Sequence, residues 1–185
     1  MRFLFVFGLM LFGVQAAQAV PAQVMIIRHA EKPESGSHLS PEGMERARGL
    51  VSFFTQNQSV LKFGVPVAIY AAEPSAEGKS VRSIETVTPL AQHLGLHIHT
   101  DLTSGETAAL ASAVMSNPAY NGKSVLICWP HSEIPQIAAA FGVQNAPATW
   151  PGEVFDRVWM ITYNANATPQ FANLPQRVLP GDSLE

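Results

Sequence analysis

The chain has 185 residues, 11 Lys and Arg against 14 Asp and Glu, and a formal net charge of −3 at pH 7. So weak and acidic a balance lacks the basic footprint of a nucleic-acid binder. The only cysteine is Cys128, so no intramolecular disulfide can form and stability must come from an apolar core.

The first residues read as a targeting segment. Arg2 gives a short positive start, Phe3 to Val14 is almost wholly apolar, and Ala17-Gln18-Ala19 matches a small-x-small cleavage site. The apolar run falls short of the roughly 20 residues a spanning helix needs. The expected organisation is a signal peptide over 1–19 and one domain over 20–185. The mature protein is expected to be periplasmic or secreted, with no stable membrane insertion after cleavage. Losing Arg2 makes it one charge more negative.

Strand-like and helix-like segments then alternate, which argues an α/β fold with a mostly parallel sheet and helices on both faces. Val24 to Ile27 is an unbroken apolar run, as expected of a strand buried on both sides. After a polar loop with Pro33, Gly36 and Ser37, Ser40 and Pro41 start a helix over about 40 to 55. Met44, Ala47, Leu50, Val51 and Phe54 form its apolar face, and Glu42, Glu45, Arg46 and Arg48 its solvated one.

Val67 to Ala71 is the second strand. Ser80 is expected to cap a helix ending at Leu94-Gly95, with a kink or break near Pro89. Leu96 to Thr100 is a third strand, followed by an Ala-rich helix over Glu106 to Met115. Val125 to Trp129 is the fourth strand, with Cys128 as a small buried hydrophobe. Ser132 is expected to cap a helix over Glu133 to Phe141. A loop over Asn145 to Gly152, closing strands over Arg157 to Tyr163 and Gln170 to Asn173, and a fraying tail after Leu179 complete the chain.

Chemistry gathers at three strand ends. Arg28-His29 follows the first strand, Arg82 lies in the first turn of the helix after the second, and His131 follows the fourth. In a mostly parallel sheet these carboxyl edges converge on one face. A guanidinium forks onto phosphate oxygens and an imidazole can attack phosphorus. Two arginines, two histidines and helix N–H groups around one anion point to phosphoryl chemistry.

Four ordered elements carry a resemblance to a known family. They are Arg28-His29-Ala30-Glu31, Leu39-Ser40-Pro41-Glu42-Gly43, Arg82-Ser83-Ile84-Glu85-Thr86 and His131-Ser132. Together they resemble the histidine phosphatase superfamily, also called phosphoglycerate mutase-like, and imply its three-layer sandwich. The resemblance implies a metal-independent phosphatase, without cofactor, that hydrolyses phosphomonoesters through a phosphohistidine on His29. A backbone carbonyl or similar acceptor would hold the other ring nitrogen. Arg28 and Arg82 would clamp the phosphoryl oxygens, and His131 would donate to them.

Glu106, opening the helix after the third strand, matches the leaving-group acid of many relatives, with Glu133 as its rival. Glu31 would orient a neighbour or, with Ser132, bind substrate. Departures from the pattern are Ala30 in place of the common glycine and Trp129-Pro130 before His131, where Pro130 removes an N–H.

The implied partner is a small phosphorylated substrate, with a cell-envelope phosphosugar among the candidates. The alternative is a catalytically weak phosphate- or phosphoprotein-binding module of the same fold. His97 and His99 share a strand face but lack a third ligand, and read as partly exposed strand residues. Trp150 and Phe155 either line the pocket or cover the core edge, and Asn145 to Trp150 is the expected specificity loop.

Overall fold

The computed structural model describes residues 20–76, 80–164 and 167–184. The leader expected over 1–19 lies outside the described residues. In chain order the elements are β1 (Gln23–Arg28), α1 (Pro41–Gln56), β2 (Pro66–Ala71), α2 (Val81–Leu94), β3 (Ile98–His99), α3 (Thr107–Ser116), β4 (Ser124–Trp129), α4 (Ile134–Ala140), β5 (Arg157–Tyr163) and β6 (Pro169–Pro175). They build one six-stranded sheet of order β3-β2-β4-β1-β5-β6. β3, β2, β4 and β1 run parallel, and β5 and β6 close the sheet antiparallel.

Alternation along the strands sorts side chains into two cores. Val24, Ile26, Val125, Ile127 and Trp129 face α3 and α4, where Leu110, Val114, Ile134 and Ile137 meet them. Met25, Ile27, Leu126 and Cys128 face Leu50, Phe53 and Phe54 of α1 and Val87, Leu90 and Ala91 of α2. Every residue of the central strands β1 and β4 is buried, which explains why both read as continuous apolar runs. The architecture is the expected three-layer α/β sandwich.

Local signals held at α1, where the Ser40 hydroxyl accepts the Gly43 N–H and Pro41 opens the helix. They failed at α2. Ser80 has φ 71° and makes no side-chain cap, so the left-handed backbone turns the chain sharply into the helix. Pro89 does not break α2, which runs on to Leu94. A proline forfeits one helix hydrogen bond, and burial of Val87, Leu90 and Ala91 around it outweighs that loss. Ser132 likewise does not cap α4; Glu133 occupies that position without a side-chain bond. The third strand shrinks to Ile98–His99.

Two further expectations change. The buried face of α1 carries Gly43, Arg46, Ala47, Leu50, Phe53 and Phe54, with Arg46 only 3 % exposed, whereas Met44 is 52 % exposed. The tail after Leu179 is pinned. The Asp182 carboxylate accepts the Val178 and Leu179 N–H groups and a bidentate pair from Arg46.

Candidate active site

Register brings the site together. Arg28 pairs with Trp129 at the carboxyl ends of adjacent parallel strands, so His29 and the Pro130-His131 turn leave the sheet side by side. A cavity of about 330 Å³ opens there, lined by Arg28, His29, Lys32, Ser80, Arg82, Ser104, Pro130, His131 and Ser132. Arg28, His29, Arg82, His131 and Ser132, expected from the sequence, thus converge on one space. Among the described residues no carboxylate belongs to the lining.

His29 is 7 % exposed. Its Nδ1 lies 2.7 Å from the Ala30 carbonyl oxygen. A carbonyl can only accept, so Nδ1 carries the proton and Nε2 keeps its lone pair. Burial, joined by the charges of Arg28, Arg82 and His131, pushes the ring down to about pKa 4, although the Ala30 carbonyl acts in the opposite sense. The imidazole is therefore neutral at pH 7. Its loop is held from both helices of the α1–α2 layer. The Ala30 N–H donates to Thr86 Oγ1 in α2, and the Ser40 N–H at the start of α1 donates to the Glu31 carbonyl.

Arg28 is 1 % exposed, yet cationic. Burial lowers its guanidinium to about pKa 10, with Glu31 and Glu153 acting against the shift. Nη1 donates to the carbonyls of Gly152 at 2.7 Å and Val154 at 3.0 Å, and the Phe155 ring lies 3.8 Å from the guanidinium carbon. Nε is buried without a partner. An orphaned charged donor in this position is costly and fits an anion in the cavity. Nη2 lies 3.4 Å from His131 Nδ1. A guanidinium can only donate, which leaves the His131 proton on Nε2, where it can donate to the same anion. Burial, then Arg28 and Lys32, lower the His131 pKa, so this ring too favours its neutral form.

Arg82 borders the cavity, but Nε donates to the His38 carbonyl at 3.0 Å and Nη2 to that of Gly36, so it also ties down the loop after β1. The Glu85 carboxylate reaches the same loop, at the Leu39 N–H and the His38 ring. Trp129 Nε1 donates to the Ser104 carbonyl and anchors that residue at the rim. Lys32, Ser80 and Ser104 were not expected here. Lys32 directly follows Arg28-His29-Ala30-Glu31, a readable signal. Ser104 carried none.

The two expected acids lie elsewhere. Glu106 is exposed, and Oε2 accepts both the N–H and the hydroxyl of Thr103, which hold the carboxyl below its usual range. Glu106 is itself the N-cap of α3 and makes no side-chain bond to the helix; its carboxylate instead reaches back to Thr103. Glu133 precedes α4 and is not part of the lining. Glu31 is turned away from the cavity towards Arg46, with Oε1 2.8 Å from Nε.

Trp150 packs on Trp159 in the core, whereas Phe155 covers Arg28 and stands 6.1 Å from the His29 ring. The segment that touches the site is thus 151–155 rather than Asn145 to Trp150. Cys128 is fully buried, and burial pushes its thiol up. His99 stacks on Tyr70. Among the described residues no three His, Cys, Asp or Glu side chains gather as a metal site would need.

No family model matches the chain, and no curated protein matches it in sequence. Its structure is similar to that of the protein histidine phosphatase SixA complexed with tungstate (TM-score 0.59, 16 % identity, 83 % of this chain and 97 % of that one). It is also similar to phosphoglycerate mutase from Plasmodium falciparum (0.54, 11 %, 88 % and 96 %) and to the alpha-ribazole phosphatase from Shigella flexneri (0.51, 13 %, 87 % and 100 %). The chain has a phosphoglycerate mutase-like fold.

Proposed function

We propose that the chain is a phosphatase working through a phosphohistidine. His29 Nε2 attacks phosphorus with its lone pair, and the bond to the leaving atom breaks, its electron pair departing with that atom. Water then displaces the imidazole from phosphorus, loses a proton to solvent, and releases inorganic phosphate. Arg28 and Arg82 clamp the phosphoryl oxygens and His131 donates to them from Nε2, each matched to charge that redistributes in the transition state. With Lys32 they supply positive charge without a metal, so the reaction is metal-independent.

The observation that carries this reading is His29 itself, a neutral ring locked in one tautomer beside an anion-ready cavity. The structurally similar SixA is a protein histidine phosphatase complexed with tungstate, which supports a reading in which this fold takes an oxyanion. The test is to trap the enzyme early in turnover of an aryl phosphate and map the modification. A phosphoryl group on His29, absent with all turnover in folded His29→Ala, is the expected result. Oxyanion binding without any phosphohistidine would favour the alternative, a binding module.

A second observation bears on the substrate. Among the described residues no carboxylate lines the cavity, so the reading favours leaving groups that need no carboxylic acid to protonate them. Aryl phosphates and phosphoramidates, including phosphohistidine side chains, meet that condition better than alkyl esters, for which a positioned acid typically contributes about 10²–10⁴-fold. A cell-envelope phosphosugar, an alkyl ester, is therefore the less favoured substrate. Export to the periplasm or medium is proposed on the composition of 1–19 and is tested by N-terminal sequencing of the extracytoplasmic protein, with Val20 as the expected first residue.

A further inference from the structure

Arg46 is the most heavily committed side chain outside the cavity. Nε and Nη2 reach Glu31 Oε1 at 2.8 and 2.6 Å, and Nη2 reaches Asp182 Oδ1 at 2.7 Å. Nη1 donates to Asp182 Oδ2 at 2.9 Å and Gln176 Oε1 at 3.2 Å. All five N–H donors are thereby used. Burial works to lower the Arg46 pKa, but the bonds to Asp182 and Glu31 outweigh it and raise it above the ordinary value. Buried ion clusters are a weak source of net stability compared with apolar packing, so this one invites a role in placing something.

Its two arms end at the two halves of the site. Glu31 lies two residues after His29, in the loop whose backbone is held by Ser40 and Thr86. Gln176 and Asp182 belong to the C-terminal tail, and the tail grips the segment that holds Arg28. The Gln176 N–H donates to the Asp156 carbonyl at 2.7 Å, Gln176 Nε2 to the Arg157 carbonyl at 2.8 Å, and the Ser183 N–H to Asp156 Oδ2 at 2.6 Å. Asp156 directly follows Phe155, which covers the Arg28 guanidinium, and the Gly152 and Val154 carbonyls that bind it.

We propose that Arg46 is a positioning residue: through Glu31 on one side and the C-terminal tail on the other, it fixes the His29 loop relative to the segment that cradles Arg28. Nucleophile and oxyanion clamp then keep one separation without either touching the other's support. A lysine cannot substitute, because one ammonium cannot make two forked pairs. The proposal rests on the phosphoryl-transfer reading of His29 and Arg28, so its test includes two readouts that need no turnover.

Three variants act at different links. Arg46→Lys keeps the charge and loses the fork, Asp182→Asn weakens the tail arm, and Ser183→Pro deletes the N–H to Asp156 at an exposed position. For each, thermal unfolding sets an assay temperature at which the protein is folded. NMR titration then gives the His29 pKa, calorimetry the affinity for tungstate, and an aryl phosphate kcat. Loosening should admit water to the ring and raise the His29 pKa by about one unit. Tungstate affinity should weaken roughly tenfold and kcat fall by roughly tenfold or more, since small misplacements of reacting groups are expensive.

Ser183→Pro should shift all three in the same direction by less. If Arg46→Lys does not fold, the other two variants decide. Folded variants with wild-type His29 pKa and tungstate affinity would overturn the proposal and leave the cluster as a fastener for the tail. Shifted pKa and affinity in a protein that hydrolyses no substrate would support the positioning role while refuting the phosphatase reading.

Discussion

The depressed His29 pKa makes a joint prediction about activity and stability. At about pKa 4 instead of the ordinary 6.5, the ring is about 97 % neutral at pH 5.5, where an unperturbed histidine would be about 9 % neutral. The acid limb of kcat/KM should accordingly fall near pH 4 and not near 6.5, provided the substrate phosphate is held in one ionisation state. Folding must show the same group from the other side. Below pH 6.5 the unfolded chain protonates this histidine while the folded chain does not, so the unfolded state binds more protons and stability falls as pH falls through the window from 6.5 to 4. For these two values the loss reaches about 2.5 kcal/mol at pH 4.5. Urea unfolding of wild type and His29→Gln at pH 7 and pH 4.5 isolates it, because other titrating groups, Asp182 and His131 among them, are common to both. The stability of His29→Gln relative to wild type should rise by about that amount on acidification. An acid limb near 6.5, or a difference between the two proteins that does not change with pH, would refute the buried neutral imidazole.

Glu106→Gln should leave the ratio of aryl to alkyl phosphate turnover unchanged, because its carboxylate is held by Thr103 outside the cavity; a selective loss on alkyl esters, measured as kcat/KM, would return it to the role of acid. Chelator treatment of the purified protein should not alter turnover of an aryl phosphate, since Arg28, Lys32 and Arg82 provide the positive charge. Gly43→Ala should destabilise the fold by about 1–3 kcal/mol in urea unfolding, because a Cβ there would stand 2.3 Å from the Glu31 carbonyl oxygen, and backbone cannot step aside as a flexible side chain can.

What the sequence disclosed followed from how local each signal was. β1 and β4 were legible because strands buried on both faces read as apolar runs, and Arg28, His29 and His131 because each follows the carboxyl end of such a run. Position alone then implied convergence, which the Arg28–Trp129 register delivers. Ser80 escaped because a left-handed backbone at a serine is not something side-chain preference reports. Pro89 misled because a one-bond defect was weighed without the packing around it.

Arg46 and Glu106 show two different kinds of illegibility. Arg46 sits three residues after Gly43 and four before Leu50, the spacing of the buried face of α1, so helical periodicity placed it correctly while its charge argued for solvent. The deciding partner, Asp182, lies 136 residues away, and no local pattern links the two. Glu106 is the reverse case. Its neighbour Thr103 is only three residues distant and supplies both of its donors, but the expectation of a leaving-group acid pointed the same carboxylate at the cavity. A carboxylate with two good donors close by gains little by facing solvent-filled space instead. Such a residue is better assigned from its nearest donors than from its place in a family pattern. By that criterion Glu106 belongs to the start of α3, and the groups described at the cavity are cations, hydroxyls and the neutral His29 ring.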